Sequence, residues 1–226
     1  MAAKKYNRKE LLKGPDEFMT LSARALNFLS VHTRHLKIIG TVIGILVVLY
    51  LAGNTYLDYV NKKGYEAYNK AYQASVNTLK PDVKSEDLEK AETLFAQVKD
   101  DHGLSKASRL ALPQLAHIKF LEKKYDEAIA LYEKFLEKVS GDKAYAPLAH
   151  MALASCYEAK GDVKAAMDHL NPVINAPDHP FKEPAMLSLA RLYKLDQKPE
   201  KAKEIIKEFV ETFKESPFLP VAKTYL

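Results

Sequence analysis

Cysteine is almost missing from this sequence, and tryptophan is missing altogether. The single thiol, Cys156, cannot make a disulfide within the chain, so no covalent staple holds the fold and a core must do so. It sits among Ala, Leu and Tyr, where simple packing is its expected role. Glycine and proline are scarce, 8 and 11 in 226 residues, which excludes a collagen-like or linker-rich chain. Beyond residue 37 the chain lacks net charge. Residues 1–37 hold eight basic side chains (Lys4, Lys5, Arg8, Lys9, Lys13, Arg24, Arg34, Lys37) against Glu10, Asp16 and Glu17, and this imbalance is the whole excess of +5. The other 26 basic and 26 acidic residues cancel, so nucleic acid is not an expected partner.

Catalytic patterns are missing as well. The seven histidines (32, 35, 102, 117, 150, 169, 179) form no HxxxH or HExxH and pair with no cysteine. There is no GxxxxGK[ST], GxGxxG or GxSxG. Acidic residues fall in mixed-charge helix faces such as EKKYDEA and KPEKAKE, which are solvated. No catalytic residue, cofactor or metal ligand is expected, and the chain reads as a non-enzyme. His117 and His150 are expected to be structural or groove-lining.

What is present begins with a run of 20 uncharged residues, IIGTVIGILVVLYLAGNTYL, from Ile38 to Leu57. At 1.5 Å rise per residue it spans about 30 Å, the hydrocarbon thickness of a bilayer. Lys37 and Asp58 close it, and Tyr50, Tyr56 and Tyr59 lie where an aromatic belt would be. The 37 preceding residues are too many for a cleaved signal peptide, and AGNTY is a poor cleavage site. The expectation is a retained single-pass helix over 38–57, a cytoplasmic tail over 1–37, and a domain over 58–226 outside the cytoplasm. Gly40 and Gly44 form a GxxxG pair suited to close helix packing, with a second copy or another membrane helix. In the tail, Phe18, Leu21, Ala25, Phe28 and Leu29 make an amphipathic stripe for a membrane surface or a docking partner.

Past the membrane run the sequence repeats. LAHIKFLEKKYDEAIALY (Leu115–Tyr132), LASCYEAKGDVKAAMDHL (Leu153–Leu170) and LARLYKLDQKPEKAKEII (Leu189–Ile206) align with one another. Ala116, Ala154 and Ala190 each precede a second alanine by twelve residues: Ala128, Ala166 and Ala202. Two antiparallel helices approach closely only where facing residues are small, so the paired alanines mark helix crossings. Gly161 should end one helix and Asp162 cap the next, while Pro147 and Pro184 should open helices. DLEKAETLFAQV (Asp87–Val98) is a weaker second helix. Its partner would be GYEAYNKAYQASVNTL, with Tyr65, Tyr68, Tyr72 and Leu79 on one face, either a separate helix or a continuation of the membrane helix. SPFLPVAKTYL resembles the start of a further repeat cut short, and so a cap.

These windows resemble the tetratricopeptide repeat family. The middle one fits best, through Leu153, Ala154, Tyr157, Gly161 and Ala166. The first departs at Lys119, where Tyr is usual, and the third at Gln197, where Gly is usual. Periods of 36 and 38 exceed the family's 34 and leave two to four extra residues between repeats. The resemblance implies an all-α chain: one membrane helix, then an α-solenoid of three to four helix pairs. The layout of basic tail, anchor, YNKAYQA helix and repeats is also similar to the bacterial inner-membrane YfgM-like family of translocon-ancillary proteins. That resemblance implies a periplasm-facing protein-binding module, with Sec translocon subunits, periplasmic chaperones or exported proteins as partners.

By register with the family, a concave groove would be lined by Leu110, His117, Phe120 and Leu121, then Met151, Ser155 and Glu158, then Leu187, Arg191 and Lys194. The alternative is that neighbouring helices cover these side chains. The carboxylate-binding residues of chaperone-tail-binding repeat proteins are not evident. Two other functions fit the same layout: a scaffold for envelope assembly or cell division, and an organelle-anchored receptor with its repeats in the cytosol.

Overall fold

The computed structural model describes residues 17–79, 84–176 and 179–226, with the side chains of 17–22, 77 and 79 left aside. Residues 1–16 of the basic tail therefore lie outside the described residues, as do the side chains of Phe18 and Leu21 in its expected stripe. The described secondary structure is helical: α1 Glu17–Val31, α2 Thr33–Ser75 followed by a 3-10 turn Val76–Leu79, α3 Ser85–Asp101, α4 Lys106–Leu121 and α5 Tyr125–Val139. Then come α6 Tyr145–Lys160, α7 Val163–Ile174, α8 Lys182–Leu195, α9 Pro199–Thr212 and the short α10 Leu219–Lys223. The chain divides into two compact units, one ending at Tyr56 and the other running Leu57–Leu226.

In the first unit, the large apolar side chains of α2 from Ile38 to Leu51 are exposed. The two threonines near the ends of the uncharged run bond to their own helix: Thr41 Oγ1 donates to Lys37 O (2.9 Å) and Thr55 Oγ1 to Leu51 O (2.9 Å). Among the described residues, α2 is long and apolar enough to cross a membrane, by length and composition.

The second unit is a stack of helical hairpins in which α3 packs on α4, and each helix up to α9 packs on the next. The expected alanine pairs govern the packing. Ala116 and Ala128 share one buried cluster with Leu153 and Cys156. Ala154 and Ala166 share another with Leu170 and Leu189, and Ala190 and Ala202 a third with Ile206 and Phe209. Burial of Cys156 pushes its thiol up to about 11, so it stays protonated and serves as packing.

The α4–α5, α6–α7 and α8–α9 turns have one geometry. Gly161, at φ 84°, closes α6 in the left-handed region; its N–H reaches Glu158 O, and Asp162 N–H reaches Tyr157 O (2.9 Å). This is a Schellman turn. Lys123 (φ 63°) and Gln197 (φ 56°) occupy the equivalent places with equivalent bonds. Asp162 caps α7 through Ala165 N–H (3.0 Å), and Ser105 caps α4 through Ala107 N–H (3.1 Å). Pro147 and Pro184 lie in the first turns of α6 and α8.

The weak first repeat joins α3 to the second half of α2 through a cluster that includes Ala67, Tyr68, Ala71 and Phe95. The second half of α2 is its first helix, continuous with the apolar run. Of the row Tyr65, Tyr68 and Tyr72, only Tyr68 packs on the core, and the deepest positions are small residues. Gly64, Ala71 and Ser75 are buried with Ala67 and Tyr68 beside them, while Tyr65 is 38% and Tyr72 50% exposed. A Cβ on Gly64 would lie 2.1 Å from Ser105 Oγ, so close approach to the start of α4 dictates small residues here. Tyr68 meets Phe95 of α3 edge to face at 5.5 Å. Lys119 links α3 to α4 by pairing with Glu92 (2.6 Å) and Glu122 (3.2 Å). Burial opposes the Lys119 charge, but the two carboxylates outweigh it and raise its pKa.

α10 packs Ala222 into the last cluster, and Lys194 Nζ lies 4.2 Å over the Tyr225 ring.

Candidate interaction groove

Between α4 and α6, the first helices of two successive hairpins, lies a cavity of about 400 Å³. Leu110, Pro113, Gln114 and His117 of α4 line one side, and Tyr145, Leu148 and Ala152 of α6 the other. Tyr132 and Phe135 of α5 form part of the lining, and Tyr68 of α2 closes one edge. Gln114 Nε2 donates to Tyr68 Oη (3.3 Å), which fixes the amide against the tyrosine. Burial lowers the pKa of His117 and raises those of Tyr68 and Tyr132, so the three are uncharged at neutral pH. Arg109, one turn before Pro113, stacks its guanidinium 5.9 Å from the Tyr145 ring centroid, and its buried Nε has no hydrogen-bond partner. The surface is therefore aromatic and uncharged, with a guanidinium at its rim. It suits an extended segment carrying a large apolar side chain.

The structure brings Leu110 and His117 into this cavity and spreads the other sequence-selected residues along the stack. Phe120 is half-buried, 5.5 Å from Tyr125 and against the Ala116–Ala128 cluster. Leu121 packs on the α2–α3–α4 core. Met151 is half-buried against the Ala154–Ala166 cluster, and Leu187 against the Ala190–Ala202 cluster. Ser155 is exposed and donates to Met151 O (3.1 Å). Glu158 and Arg191 form a two-point ion pair joining α6 to α8, with Arg191 Nη2 2.8 Å from Glu158 Oε2. Lys194 is engaged with Tyr225. Gly40 and Gly44 have open space where a side chain would stand.

Sequence reasoning missed Tyr68, Gln114, Tyr132 and Tyr145. Tyr132 was visible as the aromatic four residues after Ala128, although its ring serves both core and cavity. Tyr145 precedes the window that repeats, and Tyr68 was assigned only to the packing face of α2. Among the described residues no three His, Cys, Asp or Glu side chains come together as a metal centre.

Residues 131–216 match the tetratricopeptide repeat-like domain family. Among solved structures, the chain is similar to kinesin light chain-type TPR-like repeats from Podosopora anserina. The identity is 18%, covering 72% of this chain and 82% of that one, with a TM-score of 0.57. It is similar to a tetratricopeptide repeat protein from Parabacteroides merdae at 19% identity, 73% and 59% coverage, and a TM-score of 0.57. No curated protein matches the sequence. Residues 131–216 thus match a tetratricopeptide repeat-like domain, and the solved structures show the same helical-repeat fold.

Proposed function

We propose that this chain is a membrane-anchored protein-interaction module: α2 holds it in the bacterial inner membrane, and the repeats bind proteins in the periplasm, at the Sec translocon. The α4–α6 groove carries the reading, since an aromatic cavity of about 400 Å³ on a repeat scaffold is a receptor for apolar side chains of another chain. Anchoring is supported by the uncharged 38–57 run, by its exposed apolar side chains and by the bonding of Thr41 and Thr55 to their own helix. The basic tail supports a cytoplasmic N-terminus. The layout shared with translocon-ancillary proteins supports exported polypeptides and Sec subunits as partners.

Within this reading the binding surface runs from Leu110 and His117 across Met151 and Ser155 to Leu187, flanked by Phe120 and Leu121. The Glu158–Arg191 pair and Lys194 supply charge at its far end. Gly40 and Gly44 leave a notch beside Thr41, Ile45 and Val48 where a second membrane helix fits, from another copy or a partner.

The test is photocrosslinking in native membranes from Leu148, an exposed groove residue, and from Lys138, exposed on α5. Capture of Sec subunits or exported polypeptides from Leu148 and not from Lys138 is the expected result. Equal capture from both positions, or none, would remove the groove as the binding surface.

A further inference from the structure

Arg109 is a cation that the fold leaves without a counter-charge. The repeat domain holds two arginines, Arg109 and Arg191, and Arg191 is spent on Glu158. None of the ion pairs among the described residues includes Arg109. It stands in the first turn of α4, where there is no acidic residue and the helix dipole disfavours a positive charge. The guanidinium is nevertheless held in one place. It stacks 5.9 Å from the Tyr145 ring centroid, with Nε buried and without a hydrogen-bond partner. Nη1 and Nη2 are not shut off from water and stay available at the rim of the groove. Asp142, the carboxylate nearest Tyr145 in sequence, turns instead to the N–H groups of Ala144 and Tyr145.

The aromatic cavity begins beside this cation. Along α4, Arg109 precedes the middle of the lining stretch Leu110–His117 by four to five residues, about 7 Å at 1.5 Å rise per residue. In an extended chain, side chains on one face recur every second residue, again about 7 Å apart. From this juxtaposition we infer that the α4–α6 groove reads an extended segment in which an acidic residue stands two positions from a large apolar one. The carboxylate pairs with the Arg109 guanidinium, and the apolar side chain fills the cavity beside Tyr132 and Leu148. This partner chemistry rests on the groove being the binding surface.

The two contacts reinforce each other. An apolar side chain in the cavity displaces water next to Arg109, so the charge pair is less screened than one in open solvent. Two Nη atoms offer a carboxylate a two-point contact, which a lysine in the same place could not. The acid is a side chain within the segment rather than a chain end. A side-chain carboxylate leaves the backbone on the same face as the apolar anchor, whereas a terminal carboxylate lies in line with the backbone.

The probe is a labelled peptide blocked at both ends, Ser-Thr-Asp-Thr-Phe-Thr-Ser, whose β-branched residues favour the extended form. It is titrated by fluorescence anisotropy into the full chain in detergent, against protein-free micelles. Replacing its Asp by Asn should weaken binding about tenfold, and replacing its Phe by Ala should remove most of it. Moving the acid next to Phe turns the two side chains to opposite faces and should cost as much as losing the charge. In Arg109→Gln the Asp and Asn peptides should bind alike. An Asn peptide that binds the native chain as tightly as the Asp peptide overturns the acidic preference. So does a preference for Asp that survives in Arg109→Gln or survives the move of the acid. Binding that ignores Phe, or no binding of any peptide, removes the groove itself and the acidic preference with it. Should Arg109→Gln lose helical circular dichroism, the native chain with nitrogen-labelled arginine decides. The Asp peptide must then shift the guanidinium resonances of Arg109 more than the Asn peptide does and leave those of Arg191 in place, and any other pattern counts against the pairing.

Discussion

Gln197 and Lys123 sit in the left-handed backbone region that Gly161 occupies in the matching turn. For a residue with a Cβ this conformation costs about 1–2 kcal/mol, partly offset because glycine loses more freedom on folding. Gln197→Gly should therefore stabilise the domain by about 0.5–1 kcal/mol, read as a higher denaturant midpoint. Gly161→Ala should lose a similar amount, although a Cβ there meets nothing within 4 Å. If Gly161→Ala left stability unchanged, the backbone account would be wrong. His117 gives a pH prediction. Burial lowers its folded pKa, so the unfolded chain takes up the proton at higher pH. Its contribution is undiminished above the unfolded value of about 6.5 and falls away as the pH drops below it. His117→Gln should make the loss of stability between pH 7.5 and 5.5 smaller, measured by urea unfolding at both values. A loss as large as that of the native chain would mean that His117 takes up its proton equally in both states.

Gly64 decides how the first hairpin closes on α4. A methyl group there would lie 2.1 Å from Ser105 Oγ and 2.5 Å from Ser105 Cβ. Ser105 is buried and caps α4, so it cannot turn aside without releasing that cap. Gly64→Ala would gain about 1 kcal/mol of helix propensity but meet an overpacking cost of about 1–3 kcal/mol. The expected outcome is net destabilisation, recovered in part by adding Ser105→Gly, since glycine replaces a serine cap at a cost of a few tenths of a kcal/mol. A more stable Gly64→Ala single variant would show that the two elements do not meet here. The same contact explains what was legible in the sequence. The alanine pairs at 116/128, 154/166 and 190/202 were readable because a crossing demands small residues and the period repeats that demand. The small residues of the α2 packing face went unnoticed because tyrosines are conspicuous and small residues are not. Gly64, Ala67, Ala71 and Ser75 obey the rule that found the alanines, but no second copy at the same spacing drew attention to them. The groove was legible only where it follows the repeat, at Leu110 and His117. Tyr68, Gln114 and Tyr145 reach it through the hairpin angles, which no single helix encodes. Phe120 and Met151 turn half inward because each lies one turn from a crossing alanine.

At the scale of the whole chain, the proposed orientation rests on charge, and the charge lies in an unequal place. Close to the apolar run the two sides are balanced: Arg24, Arg34 and Lys37 precede it, and Lys62, Lys63 and Lys70 follow it. The excess on which the proposed cytoplasmic tail rests comes from Lys4, Lys5, Arg8, Lys9 and Lys13. Orientation should therefore be sensitive to these five residues, more than ten positions from the membrane run. Topology can be read with single cysteines at Lys9 and Lys223 and a maleimide that does not cross membranes. Cys156 adds little background, because burial raises its pKa and keeps it a shielded thiol. In intact spheroplasts Lys223→Cys should label and Lys9→Cys should not, with both labelled after detergent. Replacing Lys4, Lys5, Arg8 and Lys13 by Gln in the Lys223→Cys chain should then give a mixed population, in which a fraction of position 223 is protected. Full protection of position 223 before any charge is removed would reverse the proposed topology and move the groove to the cytoplasm. Full labelling after their removal would leave the topology intact but show that the repeat domain is exported whatever the tail's charge.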